Sequence, residues 1–105
     1  MSQTFTRDMR SAMSGMMRDM HAAPASGDPD ADFLAMMIPH HAGAVEMARL
    51  VLVHGRDPAT RRLAEDIIAG QSVEIQAMQR RLAMLRGELP PEDYPALGGT
   101  RGAGR

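Results

Sequence analysis

The sequence predicts an all-α protein, and three observations carry that expectation. Ala, Met, Leu, Arg and Glu dominate, while β-branched residues are scattered and strand patterns are nearly absent. Apolar residues recur at spacings of three and four along three long stretches. Two of those stretches open on the same signature, Asp28-Pro29 and Asp57-Pro58, an N-capping acid followed by proline in the first helical turn.

The first helix is predicted from about Thr4 to Ala22. Phe5, Met9, Ala12, Met13, Met16, Met20 and Ala23 fall near one line, with Arg7, Asp8, Arg18 and Asp19 on other faces. Pro24 ends it, and a short loop follows to Gly27. The second helix opens at Asp28, with Asp30 and Asp32 favoured by the positive end of its dipole. It runs to about His54, with Gly55 expected as a left-handed cap. Its expected inward stripe is Phe33, Met36, Met37, His40, Ala44, Met47, Ala48 and Val51. Pro39 interrupts that stripe, removes one backbone donor, and is expected to kink the helix and free the Ala35 carbonyl. The third helix runs from about Pro58 to Arg86, closed by Gly87, with Leu63, Ile67, Gln71, Glu74, Ile75, Met78, Leu82 and Leu85 expected inward.

The connection between helices two and three is a few residues, which forces an antiparallel hairpin. At 1.5 Å per residue each arm is about 40 Å long. Residues 1–89 are therefore expected to form one helical bundle domain. Residues 90–105, with three Pro and four Gly and little to bury, form a flexible tail. Three helices make a thin core for this length. Either helix one completes a three-helix bundle or it packs against a second copy, and a homo-oligomer is expected.

Composition excludes several functions. The 105 residues carry 12 Lys+Arg and 13 Asp+Glu, a net charge of −1, so no basic field exists to hold nucleic acid. No apolar run is long enough for a membrane span. The absence of cysteine removes disulfides, thiolate metal sites and thiol nucleophiles. The outlying count is 11 Met, against 2 Phe, 1 Tyr and no Trp.

The stripe positions are where chemistry gathers. Consecutive helical residues differ by about 100°, so His40 and His41 cannot both face one axis. His40 lies at the centre of the stripe, and His41 on the flank toward a neighbouring helix. Met36 stacks with His40 and Met37 with His41 at the i, i+4 spacing, close enough to share one ion. Met47 follows two turns on. Helix three adds Glu74 with Met78 at i+4, and Gln71 one turn earlier. Thioether with imidazole suits soft or borderline ions: Cu(I), Ag(I), and Cu(II) where imidazole and carboxylate dominate. Ca and Mg need more hard oxygens than the stripe offers. A plainer reading stands beside this one. Methionine is also a flexible core filler, and an inward His with Glu74 as partner can be a core hydrogen bond that fixes helix register.

Met9, Met13, Met16, Met17 and Met20, with His21, are candidates for an accessory soft-ion site on helix one, where packing alone would also explain the methionines. His21 and His54 also sit where a cation complements a helix C-terminus. Arg61-Arg62 and Arg80-Arg81 are expected on solvated faces. No Glu is followed three residues later by His, so the di-iron helical motif is missing. Neither the zinc-protease helix nor a phosphate-binding Gly loop is present. No catalytic residue is assigned, and the protein is expected not to be an enzyme.

The string Asp32-Phe33 through Met37-Ile38-Pro39-His40-His41, then Ala44, Met47 and Ala48, resembles the domain of unknown function 305 family. Arg61, Leu63, Ala64, Ile67, Gln71, Glu74, Ile75 and Met78 continue the likeness, which covers about residues 30–85. The resemblance implies a ferritin-like helical fold, export to the periplasm or beyond the cell, and, for some members, copper binding. By position it marks Met37, His40, His41, Met47, Gln71, Glu74 and Met78. A fourth helix is missing from this chain. The resulting expectation is an exported, non-catalytic copper-binding protein. His40 and His41 anchor the ion, Met37 and Met47 supply soft ligands, and Glu74 orients a His or completes a Cu(II) shell. The alternative is a helical oligomerisation module whose His–Glu contact is structural.

Overall fold

The computed structural model describes residues 2–90, and the remainder of the expected tail, 91–105, lies outside them. Three helices follow in order: α1 (Ser2–Ala22), α2 (Pro29–His54) and α3 (Pro58–Leu85). No strand occurs among the described residues.

The helix starts follow from local chemistry. The Asp28 carboxylate accepts from the Asp30 backbone N–H at 3.2 Å, and Asp57 accepts from the Thr60 N–H and hydroxyl at 2.9 and 2.6 Å. One turn into α2, Asp32 reaches back to the loop and accepts from the Ser26 N–H and hydroxyl at 2.9 and 2.8 Å, and from the Gly27 N–H at 3.2 Å. Gly27 has φ +89, which fits a residue without Cβ at this turn.

These bonds hold two carboxyls below their ordinary range. Asp32 is lowered by its bonds from the Ser26 backbone and hydroxyl, and Asp57 by those from the Thr60 hydroxyl and backbone. A lowered folded-state value means stabilisation present above the unfolded value near 3.8 and lost as pH falls through the depressed folded value. Acid titration followed by circular dichroism is therefore expected to show helix loss below pH 3.8. In an Asp57→Asn variant that acid transition should be shallower.

The helix ends differ from one another. Gly87 closes α3 with φ +78, after Arg86. Gly55 does not take the expected left-handed conformation; its φ of −80 and ψ of 158 are extended. Glycine is favoured there for another reason: a Cβ would lie 2.7 Å from the Val51 carbonyl oxygen, which receives the Gly55 N–H at 2.6 Å. Arg61, expected on a solvated face, is half-buried instead. Its guanidinium donates to the Leu52 and Gly55 carbonyls at 2.6 and 3.1 Å, satisfying the open end of α2. Arg62 pairs with Asp66 at 3.5 Å on the exposed side, as a solvated residue would. α2 runs through Pro39 without interruption.

The helices form a layer. Both α1 and α3 pack on α2 and barely on each other. On α2, His41 faces α3, while Gly43 faces α1, where a Cβ would lie 2.5 Å from the Met16 sulfur. Two residues correspond to about 200° of helix, so α1 and α3 flank α2 on nearly opposite sides. The Cα atoms span 55 × 31 × 17 Å, with a radius of gyration of 16.9 Å, against about 13 Å for a compact chain of this length. Among the described residues the buried apolar set is Ala31, Val45, Ala48, Ala64 and Leu82, and no large side chain is fully enclosed.

That geometry corrects the inward stripe. Phe33, Met36 and His40 lie on the band of α2 between its two neighbours and are exposed, Phe33 by 60%. Leu63, Ile67, Glu74 and Leu85 of α3 are exposed as well. The periodicity located a real apolar face, but in a single layer that face has nothing above it. Met37, Ala44, Met47 and Val51, toward the seams, are half-buried, and Ala48 is buried.

Candidate metal centre

The site is built where α2 meets α3. His41 sits at the middle of α2, and its side chain is only 15% exposed. Its Nε2–H donates to the Glu74 carboxylate Oε1 at 2.7 Å. An ionised carboxylate only accepts, so Nε2 carries the proton and a neutral ring then presents a lone pair at Nδ1. That Nδ1 is buried and has no hydrogen-bond partner. Buried imidazole nitrogens ordinarily find partners, so this one is an exception to be explained. One nitrogen is held by a carboxylate and the other is left without a partner, the pattern that a metal-ligating histidine shares.

His40 stands beside it, the two ring centroids 6.0 Å apart and inclined at 57°. His40 is exposed on the open face, with Met36 one turn earlier and also exposed; Met37 precedes His41 by one turn and is half-buried. On α3, Gln71, one turn before Glu74, and Met78, one turn after it, are half-buried. Met47 is half-buried two turns beyond His40. Helix geometry thus places Met36, Met37, His40 and His41 within two turns of one another, with Glu74 bonded across.

Among the described residues no three of His, Cys, Asp and Glu converge as a metal-binding group. A site with three or more ligands around His41 would therefore need thioethers, which biases it toward soft ions. The accessory set on α1 separates. Met16 lies against Gly43, Met9 and Met20 are half-buried, and Met13, Met17 and His21 are exposed.

Sequence reasoning missed a contact at the other end of the layer. His54 packs edge-on against Phe5 with centroids 5.5 Å apart, and its Nε2 lies 3.9 Å from Asp8. These residues are more than forty positions apart, and no local signal pairs them. Together with Gly43 and Met16, they pin α1 to α2.

The layer and its seam define an all-helical protein with paired Met and His residues around a carboxylate-held imidazole. The chain belongs to the family described as domain of unknown function DUF305, which it matches over residues 1–82. It is also 41% identical over 49 residues to the uncharacterized protein L153 of Acanthamoeba polyphaga mimivirus. That match covers 47% of this chain and 32% of the relative, so the chain aligns with about a third of the viral protein's length. No helix among the described residues is long and apolar enough to cross a membrane.

Proposed function

We propose that this protein binds copper, as Cu(I) or Cu(II) and with Ag(I) as a further soft ion, for sequestration or delivery rather than for catalysis. The observation that carries the reading is the unpartnered, buried Nδ1 of His41, whose Nε2 is fixed by Glu74. His41 and His40 are the nitrogen ligands in this reading. Met37 and Met36 supply thioethers from the preceding turn, and Met47, Met78 and Gln71 lie along the same helices as further donors. Glu74 orients His41 and raises its basicity as a ligand. The methionines of α1 and His21 form a weaker reservoir. Export to the periplasm or the extracellular space is part of the proposal and rests on the family resemblance.

The test is an anaerobic Cu(I) titration against a competing chelator, run beside a His40→Ala/His41→Ala variant. Wild-type competition that the variant loses by at least tenfold supports a site on α2. Equal competition by both moves any copper to the α1 methionines. No competition by either leaves the His–Glu contact as a structural bond in a helical assembly. Binding through imidazole should also weaken on acidification, because the ion and a proton compete for the same nitrogen, whereas thioether-only Cu(I) binding should persist.

A further inference from the structure

The face of the layer that carries His40 has no cover within the chain. Met13 and Met17 of α1, Phe33 and Met36 of α2, and Leu63 and Ile67 of α3 are each between 43% and 61% exposed. The contacts at Gly43 and His41 fix the directions of the neighbouring helices, and antiparallel neighbours wind in the opposite sense. Those six side chains then fall on one side of the layer. Their exposed area is on the order of 600 Å², at the upper end of the largest apolar patch on a typical monomer and approaching the ~800 Å² per partner of a standard interface.

We propose that a second copy of this chain covers this face, stacking layer on layer, and that the two His40 side chains meet near the dyad to complete the metal site. The proposal rests in part on the copper reading, but its assembly half stands without it.

Three observations favour a second copy over another occupant. The α2 stripe on this face, Phe33, Met36, His40, Met47 and Val51, is uncharged, and Glu74, 60% exposed beside Leu63 and Ile67 on α3, brings a carboxylate to its edge. Two copies, each at net charge −1, repel weakly. The chain encloses no large side chain among the described residues, and stacking two such faces would supply the core that each layer lacks.

Symmetry then selects His40. A twofold interface is self-complementary, so residues near the axis meet their own counterparts. His40 lies within two residues of the midpoint of α2, and α2 is the middle helix of the layer. Layers stacked centre on centre therefore bring His40 and Met36 of both copies together. On the opposite side of α2, Glu46, Arg49 and Val53 are exposed, and Val53 at 74% serves as a control.

The test uses the full chain without metal. Sedimentation equilibrium is expected to give twice the chain mass for wild type and for Val53→Asp, and the single-chain mass for Phe33→Asp, with all three helical by circular dichroism. The sequence has no cysteine, so His40→Cys reports proximity directly: a short bis-maleimide should cross-link it into covalent dimers, and should leave Val53→Cys uncross-linked. If Phe33→Asp loses its helices, the cross-linking pair decides alone. A monomeric wild type, a dimer indifferent to Phe33→Asp, or equal cross-linking from both cysteines overturns the proposal. With the dimer established, Cu(I) competition by Phe33→Asp should be at least tenfold weaker than by wild type. Equal competition removes His40 of the second copy from the site. A dimer that takes up no copper overturns the metal reading and the shared site, and leaves the layer pairing intact.

Discussion

If His41 is the proposed copper ligand, a Glu74→Gln variant is expected to lower the affinity for Cu(I) by about 10–100-fold, the usual cost of removing the group that orients a metal-bound histidine. The wild-type carboxylate fixes the His41 tautomer through a 2.7 Å bond to Nε2, leaving Nδ1 without a partner and as the ligand atom of the proposed copper site. Glutamine can still accept a hydrogen bond through its amide oxygen, but it carries no charge to raise imidazole basicity, and its NH2 can face Nε2 instead. The effect on folding should be small. Glu74 is 60% exposed, and a hydrogen bond from a neutral imidazole to a carboxylate so open to solvent contributes about 1 kcal/mol. A large loss of affinity with little change in melting temperature thus separates an orienting role from a structural one. If the melting temperature falls and affinity does not, the contact serves the helix seam.

The second large effect concerns the seam of α1. Gly43→Leu is expected to destabilise the fold by about 2–3 kcal/mol, the upper range for overpacking. Even a methyl group at position 43 would lie 2.5 Å from the Met16 sulfur and 2.9 Å from its Cβ. Because the Met16 Cβ is attached directly to the helix, rotation of the Met16 side chain alone cannot make room. The helix itself must back away. Gly→Ala in a helix gains roughly 0.8–1 kcal/mol of intrinsic propensity, which offsets part of the clash in the smaller variant and makes leucine the cleaner probe. Urea unfolding is the measurement, and the Gly43→Leu/Met16→Ala double variant should recover part of the loss. Additive losses would remove the Gly43–Met16 contact as the cause.

Helix boundaries were legible because capping is local. Asp28-Pro29, Asp57-Pro58 and Gly87 announce the ends of α2 and α3 through groups at most four residues apart. A contact between Glu74 and a histidine of α2 was also legible from the short-looped hairpin, but not that the histidine is His41 or that the carboxylate stays exposed. What covers a stripe was not. Phe33 and Leu63 obey the same spacing whether they meet a third helix, a second chain or water. The orientation of His40 went astray for that reason. The roles of Gly55, Arg61 and His54 were hidden more deeply. Each depends on where a backbone carbonyl or ring from another turn or helix arrives, which periodicity does not encode.

Because α2 is the spine and its neighbours scarcely touch, every substantial tertiary contact joins helices consecutive in sequence. The connections are short, 23–28 and 55–57, so little loop entropy has to be overcome and the topology belongs to the fast-folding class. It also divides cooperativity unevenly. The α2–α3 hairpin keeps its own seam when α1 swings away, whereas α1 has no support apart from α2. The N-terminal helix therefore hangs on one seam alone, so any weakening of that seam falls on α1 before it reaches the hairpin.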